Sequence, residues 1–300
     1  IIYQPIPKEY GVPDMALNGG RVYNHGVEFT MNITPVRTKD FGWTIGLNTS
    51  KNWNKAKRID SGMTSVDAFL NGVSDRVLKK GYPLSAFWSF SFKGLDPENG
   101  MPQFNLMDVE AGNDIDPTSF LVYSGESEPY FTGGLNTRLR FKDFTIGGDF
   151  SLLLGAKRRL PNLYPNQERL PSPYANMDKD LLKRWKQPGD EERTDIPAYY
   201  SGGVSSWMNL PNGRQFSLYE MWRQSDIRVV NASFLRCNQL SLTWNMNEDW
   251  CKKLGILNLS VNLVMNNAFV IASKRLNGFD PELDNSIMPK TYSLGFSVGF

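Results

Sequence analysis

The 300-residue sequence contains no hydrophobic run that could form a membrane-spanning helix. Such a helix needs about 18 or more consecutive, mostly apolar residues. This absence does not exclude a membrane, because a transmembrane β-strand needs only about 9–11 residues with alternate ones apolar. An excess of one charge is also missing. With 33 Lys and Arg against 31 Asp and Glu, the net charge of +2 gives no argument for a nucleic-acid partner.

Histidine and cysteine, the residues of many catalytic and metal sites, are scarce. A Ser-His or Cys-His nucleophile would depend on His25, the one histidine, which lies in a predicted strand. Cys237 and Cys251 match no metal-binding spacing, and their pairing cannot be deduced from sequence. The acidic cluster 190–192 lies in a Pro/Gly-flanked loop, and segment 112–116 lacks the spacing of a calcium-binding EF-hand loop. We therefore predict no catalytic residue, no metal site and no cofactor.

The last ten residues show the clearest pattern in the chain. Large apolar residues occupy every second position, and Thr, Ser or Gly occupies each position between them; the large residues are Tyr292, Leu294, Phe296, Val298 and Phe300. This alternation places the two sets on opposite faces of a β-strand. A strand of an outer-membrane barrel has this pattern, with apolar groups toward lipid and small or polar groups toward the lumen.

Eight further segments have strand patterns, at 22–36, 41–48, 72–80, 85–94, 131–141, 144–154, 233–246 and 256–269. Short connections near 37–40, 81–84, 142–143 and 247–255 alternate with long ones near 55–71, 95–129, 157–232 and 271–290. We expect a short helix at 177–186 inside the longest connection. Short turns at one end and long loops at the other are typical of an outer-membrane barrel, whereas a Greek-key sandwich mixes connection lengths.

Several segments resemble one protein family, the SusC/RagA-type TonB-dependent transporters of the outer membrane. In chain order, they are Asn18–Glu28, Gly94–Pro102, Pro129–Gly134, Arg184–Asp190, Ala232–Arg236 with Leu240–Trp244, Asn267 with Phe279–Glu282, and the terminal Phe300. They follow the family's order across nearly the whole chain. His25 stands where the family usually has Arg, and Cys237 departs from its strand pattern.

The resemblance implies an all-β fold and a role in import. Residues 1–300 would form the C-terminal portion, about nine antiparallel strands, of a larger plugged barrel of roughly 22 strands. Relatives take up nutrients, either oligosaccharides or peptides, with a SusD-like surface lipoprotein as a lid and with energy supplied through TonB. It also implies a membrane of lipid and lipopolysaccharide, and dimers of the SusCD pair. The resemblance further implies plug and N-terminal regions that are not among these residues, and the absence of a signal peptide predicts that the N-terminus of the protein lies upstream.

Two groups of residues are candidate functional positions. The resemblance makes Tyr292, Phe296 and Phe300 candidates for a C-terminal barrel assembly signal. Aromatic residues of the longest loop could contact the lid or the substrate; they are Trp185, Tyr199, Tyr200, Trp207 and Trp222. Aromatic rings stack on sugars and anchor protein interfaces, but they also pack loops internally, and the sequence favours that third alternative.

Two other functions remain open from the sequence. One is an outer-membrane receptor or adhesin that has the same barrel end but does not transport. The other is a secreted β-sandwich that binds carbohydrate. An enzyme has the least support, because no catalytic constellation is present.

Overall fold

The structure is a computed structural model. It describes residues 20–59, 65–72, 79–106, 115–164, 176–199, 207–283 and 286–300, with 2–5, 7, 9, 11, 14–17, 112 and 174. The chain divides into two compact units. We call residues 24–53, 128–156 and 231–300 the sheet unit, and residues 1–23, 54–127 and 157–230 the loop unit.

Strands dominate the described residues. In chain order they are β1 (Ile2–Pro5), β2 (Asp14–Leu17), β3 (Gly20–Arg37), β4 (Phe41–Ile59), β5 (Ala86–Leu95), β6 (Pro102–Asn105), β7 (Leu121–Glu126), β8 (Phe131–Phe141), β9 (Phe144–Leu154), β10 (Lys157–Arg159), β11 (Trp207–Asn209), β12 (Gln215–Ser217), β13 (Val229–Asn231), β14 (Phe234–Asn245), β15 (Asn258–Ala272) and β16 (Thr291–Gly299). Three short α-helices are α1 (Val66–Asn71), α2 (Leu218–Arg223) and α3 (Glu248–Leu254). None of the described helices has the length and apolar character to span a bilayer.

Seven strands form one sheet in the order β16-β15-β14-β9-β8-β4-β3. Neighbours pair antiparallel, with Leu263 opposite Leu242 on β14 and opposite Leu294 on β16. An irregularity interrupts the register at Asn238, the extra residue between Cys237 and Gln239. The predicted antiparallel sheet is confirmed.

The connections of this sheet alternate in length, as predicted. Short connections join β3 to β4, β8 to β9 and β14 to β15, the last containing α3. Asn247 caps the start of α3 by accepting from Asp249 N at 2.9 Å, and Gly255, at φ +71°, ends it in the left-handed region. Long connections join β4 to β8, β9 to β14 and β15 to β16.

Among the described residues, seven strands rather than the predicted nine share the main sheet. The predicted strand at 85–94 is β5, but β5 pairs with β6 and β7 in a separate three-stranded sheet of the loop unit. Of the predicted strand at 72–80, residues 72 and 79–80 form none, and 73–78 lie outside the described residues. The segment 55–59, predicted as part of a long connection, continues β4. The predicted helix at 177–186 is a 3₁₀ turn at Lys179–Lys183.

The loop unit has its own hydrophobic core. Its largest fully buried side chains include Trp88, Phe90, Phe69 and Trp222, none more than 2% exposed. The rings of Phe69 and Trp88 meet edge to face, with 4.9 Å between their centroids. The residues of the long connections are therefore a packed domain-like unit rather than simple surface loops.

Candidate functional site

The seven-stranded sheet has one apolar and one polar face. The large apolar side chains of paired strands share a face, because residues directly opposite each other in a sheet point the same way. Many of them are exposed, including Phe29 (51%), Ile146 (54%), Leu263 (47%) and Leu294 (61%). A contiguous exposed apolar surface of this kind marks a membrane or protein interaction face.

Aromatic residues lie at both ends of the apolar face. At the end with short connections, Phe41 pairs with Phe141, Phe141 with Phe144, and Phe144 with Trp244. Along β8, the pairs Phe41–Phe141 and Lys51–Phe131 are 141 − 131 = 10 residues apart. Ten residues at about 3.4 Å each, tilted by about 40°, span a height of roughly 26 Å. This height matches the apolar band of a transmembrane barrel, about 25 Å.

The other end of the apolar face carries a mixed aromatic and basic cluster. The His25 ring stacks on the Trp53 ring at a centroid distance of 5.2 Å. Lys51 Nζ lies 4.7 Å from the centroid of Trp53 and 5.6 Å from that of Tyr130. Amphipathic rings and a long lysine side chain are the residue types that suit a membrane–water interface. In this structure His25 is therefore a stacking residue.

The opposite face is polar and contains a groove of about 460 Å³. Most of its lining residues are polar or glycine and come from β3, β4, β8, β9 and the irregularity in β14, with Phe150 and Leu153 as apolar exceptions. The polar ones are Glu28, Thr30, Asn48, Thr49, Ser50, Thr132, Ser151 and Asn238. Strand alternation predicts a polar face here, but only the pairing of five strands brings these residues together. Asn238 could not be predicted as a member, because the irregularity changes the alternation of β14.

Small residues let this polar face pack closely. A Cβ on Gly46 would lie 2.5 Å from Asn136 Nδ2 and 2.8 Å from Asn32 Oδ1. Further along the sheet, Thr243 Oγ1 donates to Asn262 Oδ1 at 3.0 Å, and Asn266 Nδ2 donates to Thr291 Oγ1 at 3.0 Å. The polar face is thus tied together laterally by side chains as well as by the backbone ladder.

The candidate assembly residues lie on the apolar face of β16 and just beyond it. Tyr292 and Phe296 are each 68% exposed and Phe300 is 90% exposed. Tyr292 lies opposite Met265, and Phe296 lies opposite Val261. The three residues therefore extend the apolar surface along the last strand of the sheet.

A buried ion pair fastens the connection between β15 and β16 to the sheet. Arg236 Nη2 donates to Asp280 Oδ1 at 2.8 Å and to Glu282 Oε2 at 2.7 Å. The Arg236 and Asp280 side chains are only 5% and 3% exposed. Asp280 Oδ1 also accepts from Glu282 N at 2.9 Å. Arg236 and Asp280 were noted in the sequence as parts of two separate motifs, and the structure shows that they form one contact.

Three of the loop aromatics hold a short segment in place rather than facing outward. Trp222 Nε1 donates to Asp195 O at 2.7 Å, and Trp185 N donates to Ile196 O at 2.9 Å. Tyr164, a residue not selected among the candidates, donates its hydroxyl to Pro197 O at 2.5 Å. Burial together with nearby Tyr219 raises the pKa of Tyr164, so this hydroxyl keeps its donor proton.

The exposure of the candidate aromatics separates them into two groups. Trp222 is 1% and Trp185 is 8% exposed, so both side chains pack inside the long connection. Tyr199 is half-buried, with its ring 5.5 Å from that of Tyr164. Trp207 is 52% exposed, and Tyr200 lies outside the described residues.

Gly100 and Trp185, which belong to two different sequence motifs, meet in the loop unit. Gly100 has φ +70°, and its carbonyl accepts from Ala198 N at 3.0 Å. A Cβ at this position would overlap the Trp185 ring and lie 2.8 Å from Ala198 Cβ. The glycine is therefore required both by its backbone conformation and by the ring against it.

We expect Gly100→Ala to lower the free energy of unfolding by about 2–4 kcal/mol, from backbone strain together with overlap on Trp185. Gly189→Ala is the matched control, because Gly189 has φ +95° but nothing within 4 Å of an added Cβ. It should cost only about 1 kcal/mol through strain. Unfolding of the purified full-length protein, followed by tryptophan fluorescence, would measure both. Equal losses would contradict the role of the ring.

Other reactive groups form no site within the described residues. Cys237 and Cys251 are buried free thiols. No group of three or more His, Cys, Asp or Glu in the described part of the chain is placed to hold a metal ion. Of segment 112–116, residues 113 and 114 lie outside the described residues.

Comparison with known proteins gives consistent relatives. No protein-family model matches the chain. It is 23% identical over 299 residues to TonB-dependent receptor P3 of Formosa agariphila, covering 93% of this chain and 27% of that protein. It is 26% identical over 302 residues to TonB-dependent receptor SusC of Bacteroides thetaiotaomicron, covering 95% and 27%. The solved RagAB peptide transporter is 21% identical, with a TM-score of 0.69, covering 99% of this chain and 31% of that one.

These relatives confirm the resemblance and the fold. The chain is similar to SusC/RagA-type TonB-dependent transporters, and its sheet has the fold of part of their β-barrel. The chain spans between a quarter and a third of their length, 27% of the two receptors and 31% of the RagAB chain. The relatives are named as receptors and as a transporter, which agrees with the expectation that this chain is not an enzyme.

Proposed function

We propose that this chain is the C-terminal wall portion of an outer-membrane, TonB-dependent importer of nutrients. In this proposal, the sheet unit lies in the bilayer of lipid and lipopolysaccharide, and the long connections between strands face the extracellular side. TonB acts through regions of the full-length protein that lie outside these 300 residues.

The observation that carries the proposal is the pair of opposite faces on one sheet. The exposed apolar face, with aromatic residues at both ends, has the height and composition of a lipid-facing barrel wall. The polar face, with its groove of about 460 Å³, has the composition of a lumen lining. In a water-soluble sandwich a second sheet would bury the apolar face, whereas many of its large side chains are exposed here.

The relatives support import as the activity. SusC and the Formosa protein are named TonB-dependent receptors, and the RagAB complex is named a peptide transporter. We propose the same kind of transport here, with an oligosaccharide or a peptide as cargo. A SusD-like surface lipoprotein would serve as a lid over the loop unit, and two such pairs would form a dimer.

The candidate residues receive separate proposed roles. The exposed ring of Trp207, with Tyr199 and Tyr200 nearby in sequence, supplies contacts to the lid or the cargo. Trp185 and Trp222 support these contacts by fixing the segment that precedes Tyr199. The exposed Tyr292, Phe296 and Phe300 serve as the barrel assembly signal.

The test uses cells that express the full-length protein. We expect the protein in the outer-membrane fraction, uptake of an oligosaccharide or peptide mixture that depends on it, and loss of that uptake without TonB or without the proton gradient. Purification from the same cells should recover a surface lipoprotein with it. Outer-membrane location combined with uptake that is indifferent to TonB would overturn the importer in favour of a non-transporting receptor. A protein that is soluble without detergent would overturn the membrane assignment itself.

A further inference from the structure

The loop unit carries a second concave feature, a pocket of about 450 Å³ on the segment 182–194. We call it the basic pocket. Basic residues outnumber acidic ones among its lining residues, which include Lys183, Arg184, Lys186, Arg193 and Asp190. This imbalance is local, because the whole chain is nearly neutral at +2.

Two of the three acidic residues of the segment, Asp190 and Glu191, accept internal hydrogen bonds, and the third, Glu192, is exposed. Asp190 Oδ2 accepts from Lys186 N at 3.0 Å and from Gln187 N at 3.2 Å. Glu191 Oε2 accepts from Trp185 Nε1 at 3.0 Å and from Gly189 N at 2.8 Å. These bonds use the two carboxylates to shape the backbone, and neither carboxylate forms an ion pair with Lys186 or Arg193 among the described residues.

The basic residues of the pocket differ in how they are held. Arg184 Nη1 donates to Leu181 O at 3.1 Å, and Lys183 pairs with Asp180 at 2.8 Å on an exposed surface. Lys186 and Arg193 are exposed, and neither forms an ion pair with a carboxylate among the described residues. Trp185, buried beneath the segment, makes the arrangement rigid, so little ordering is needed when an anion enters.

We infer that the basic pocket binds an anionic group of the imported cargo, a carboxylate or sulfate carried by an acidic saccharide or an acidic peptide. This inference rests on the proposed function, because it assigns a cargo chemistry to the extracellular side of the importer. Arginine presents paired N–H donors that match a carboxylate or sulfate, and lysine adds a second point of charge. A concave pocket of this volume suits one sugar residue or one acidic side chain, whereas a protein partner would contact a flatter surface.

The test measures binding to the purified full-length protein by calorimetry at low and high salt. The acidic probes are trigalacturonate and triglutamate, and the neutral probes are cellotriose and triglutamine. We expect an acidic probe to bind, its neutral counterpart to bind at least about tenfold more weakly, and salt to weaken the acidic probe. Which acidic probe binds identifies the source as saccharide or peptide.

The double variant Lys186→Gln/Arg193→Gln tests the location. We expect it to weaken acidic binding by about tenfold or more, since two charge-assisted contacts are lost. The control is Lys179→Gln, which removes a charge from an exposed lysine of the same unit outside the pocket and should leave affinity unchanged.

Three results would overturn the inference. The first is the absence of binding by either acidic probe, and the second is an equal loss in the control and in the double variant. The third is a double variant that loses the surface lipoprotein while acidic probes bind as before, because the pocket would then serve a protein partner. TonB-dependent uptake, measured in the same cells, separates this failure from failure of the importer, since uptake would persist if only the pocket were misassigned.

Discussion

Arg236→Met is expected to lower the free energy of unfolding by about 3–5 kcal/mol, the largest single effect predicted for this chain. The loss comes from the charge left behind, not only from the contact removed. Asp280 is 3% exposed, and its carboxylate would remain buried without its guanidinium partner. Denaturant unfolding of the full-length protein in detergent would measure the change.

The matched control is Arg140→Met on the same sheet. Arg140 is exposed and donates to two backbone carbonyls, Thr38 O and Lys39 O, both at 3.2 Å. Because no buried charge is stranded there, its loss should stay below about 1 kcal/mol. Adding Asp280→Asn to Arg236→Met should recover part of the stability, since the two residues are coupled. Equal losses for Arg236→Met and Arg140→Met would contradict the importance of the buried pair.

The same pair predicts a pH dependence. Burial alone would raise the pKa of Asp280, but hydrogen bonds from Arg236 and from Glu282 N outweigh it and hold the pKa below the ordinary value of 3.8. A carboxylate with a lowered pKa stabilises the folded state above its unfolded-state pKa, and this contribution is lost as the pH falls through the folded-state value. We therefore expect stability to fall below about pH 4, and Arg236→Met to lose less between about pH 6 and pH 3 than the parent protein.

Leu263→Arg is expected to cost about 2–4 kcal/mol of folding stability in a lipid bilayer. Leu263 is 47% exposed on the apolar face, between Leu242 and Leu294 on the neighbouring strands. It lies in the central part of the apolar row of β15, where a charged side chain would have to sit in hydrocarbon. The folded fraction after refolding into vesicles over a denaturant series would give the value.

Asn262→Arg is the control, because Asn262 is the adjacent residue on the polar face. It lies opposite Thr243 and Gly295, which leaves open space for a longer side chain. Its cost should stay below about 1 kcal/mol, mostly from the lost hydrogen bond with Thr243. Equal refolding yields for the two arginine variants would show that the face assigned to lipid is not in lipid, and the proposed membrane location would fail.

The strands of the main sheet were predictable where the alternation is regular. In β16 every second residue is a large apolar one, and β8 and β9 follow the same alternation apart from Thr137 and small glycines. The observed bounds lie within one residue of the predicted ones. The error at β5 has a physical cause. Ala86, Phe87, Trp88, Ser89 and Phe90 are all buried, so both faces of this strand are covered and its side chains do not alternate in exposure. A short apolar run of this kind indicates a strand but not the sheet to which it belongs.

The roles of the loop aromatics were not predictable from their sequence positions. Trp185 and Trp207 both lie in a long polar connection, yet one is 8% and the other 52% exposed. Their exposure depends on partners far away in the chain, such as Gly100, which lies against the Trp185 ring. The basic pocket was missed for the same reason. Only in the folded chain do Asp190 and Glu191 accept hydrogen bonds from their own segment, while Lys186 and Arg193 stay available.

The sequence by itself determined the strand type, the two faces of the sheet and the alternation of short and long connections, because these follow from a period of two along a strand and need no distant partner. Only the tertiary structure decided which strands share a sheet, how the irregularity at Asn238 changes the faces of β14, and that Arg236 meets Asp280. Those features depend on pairings between residues far apart in the chain. A local pattern carries no information about them, because many distant partners are compatible with the same alternation.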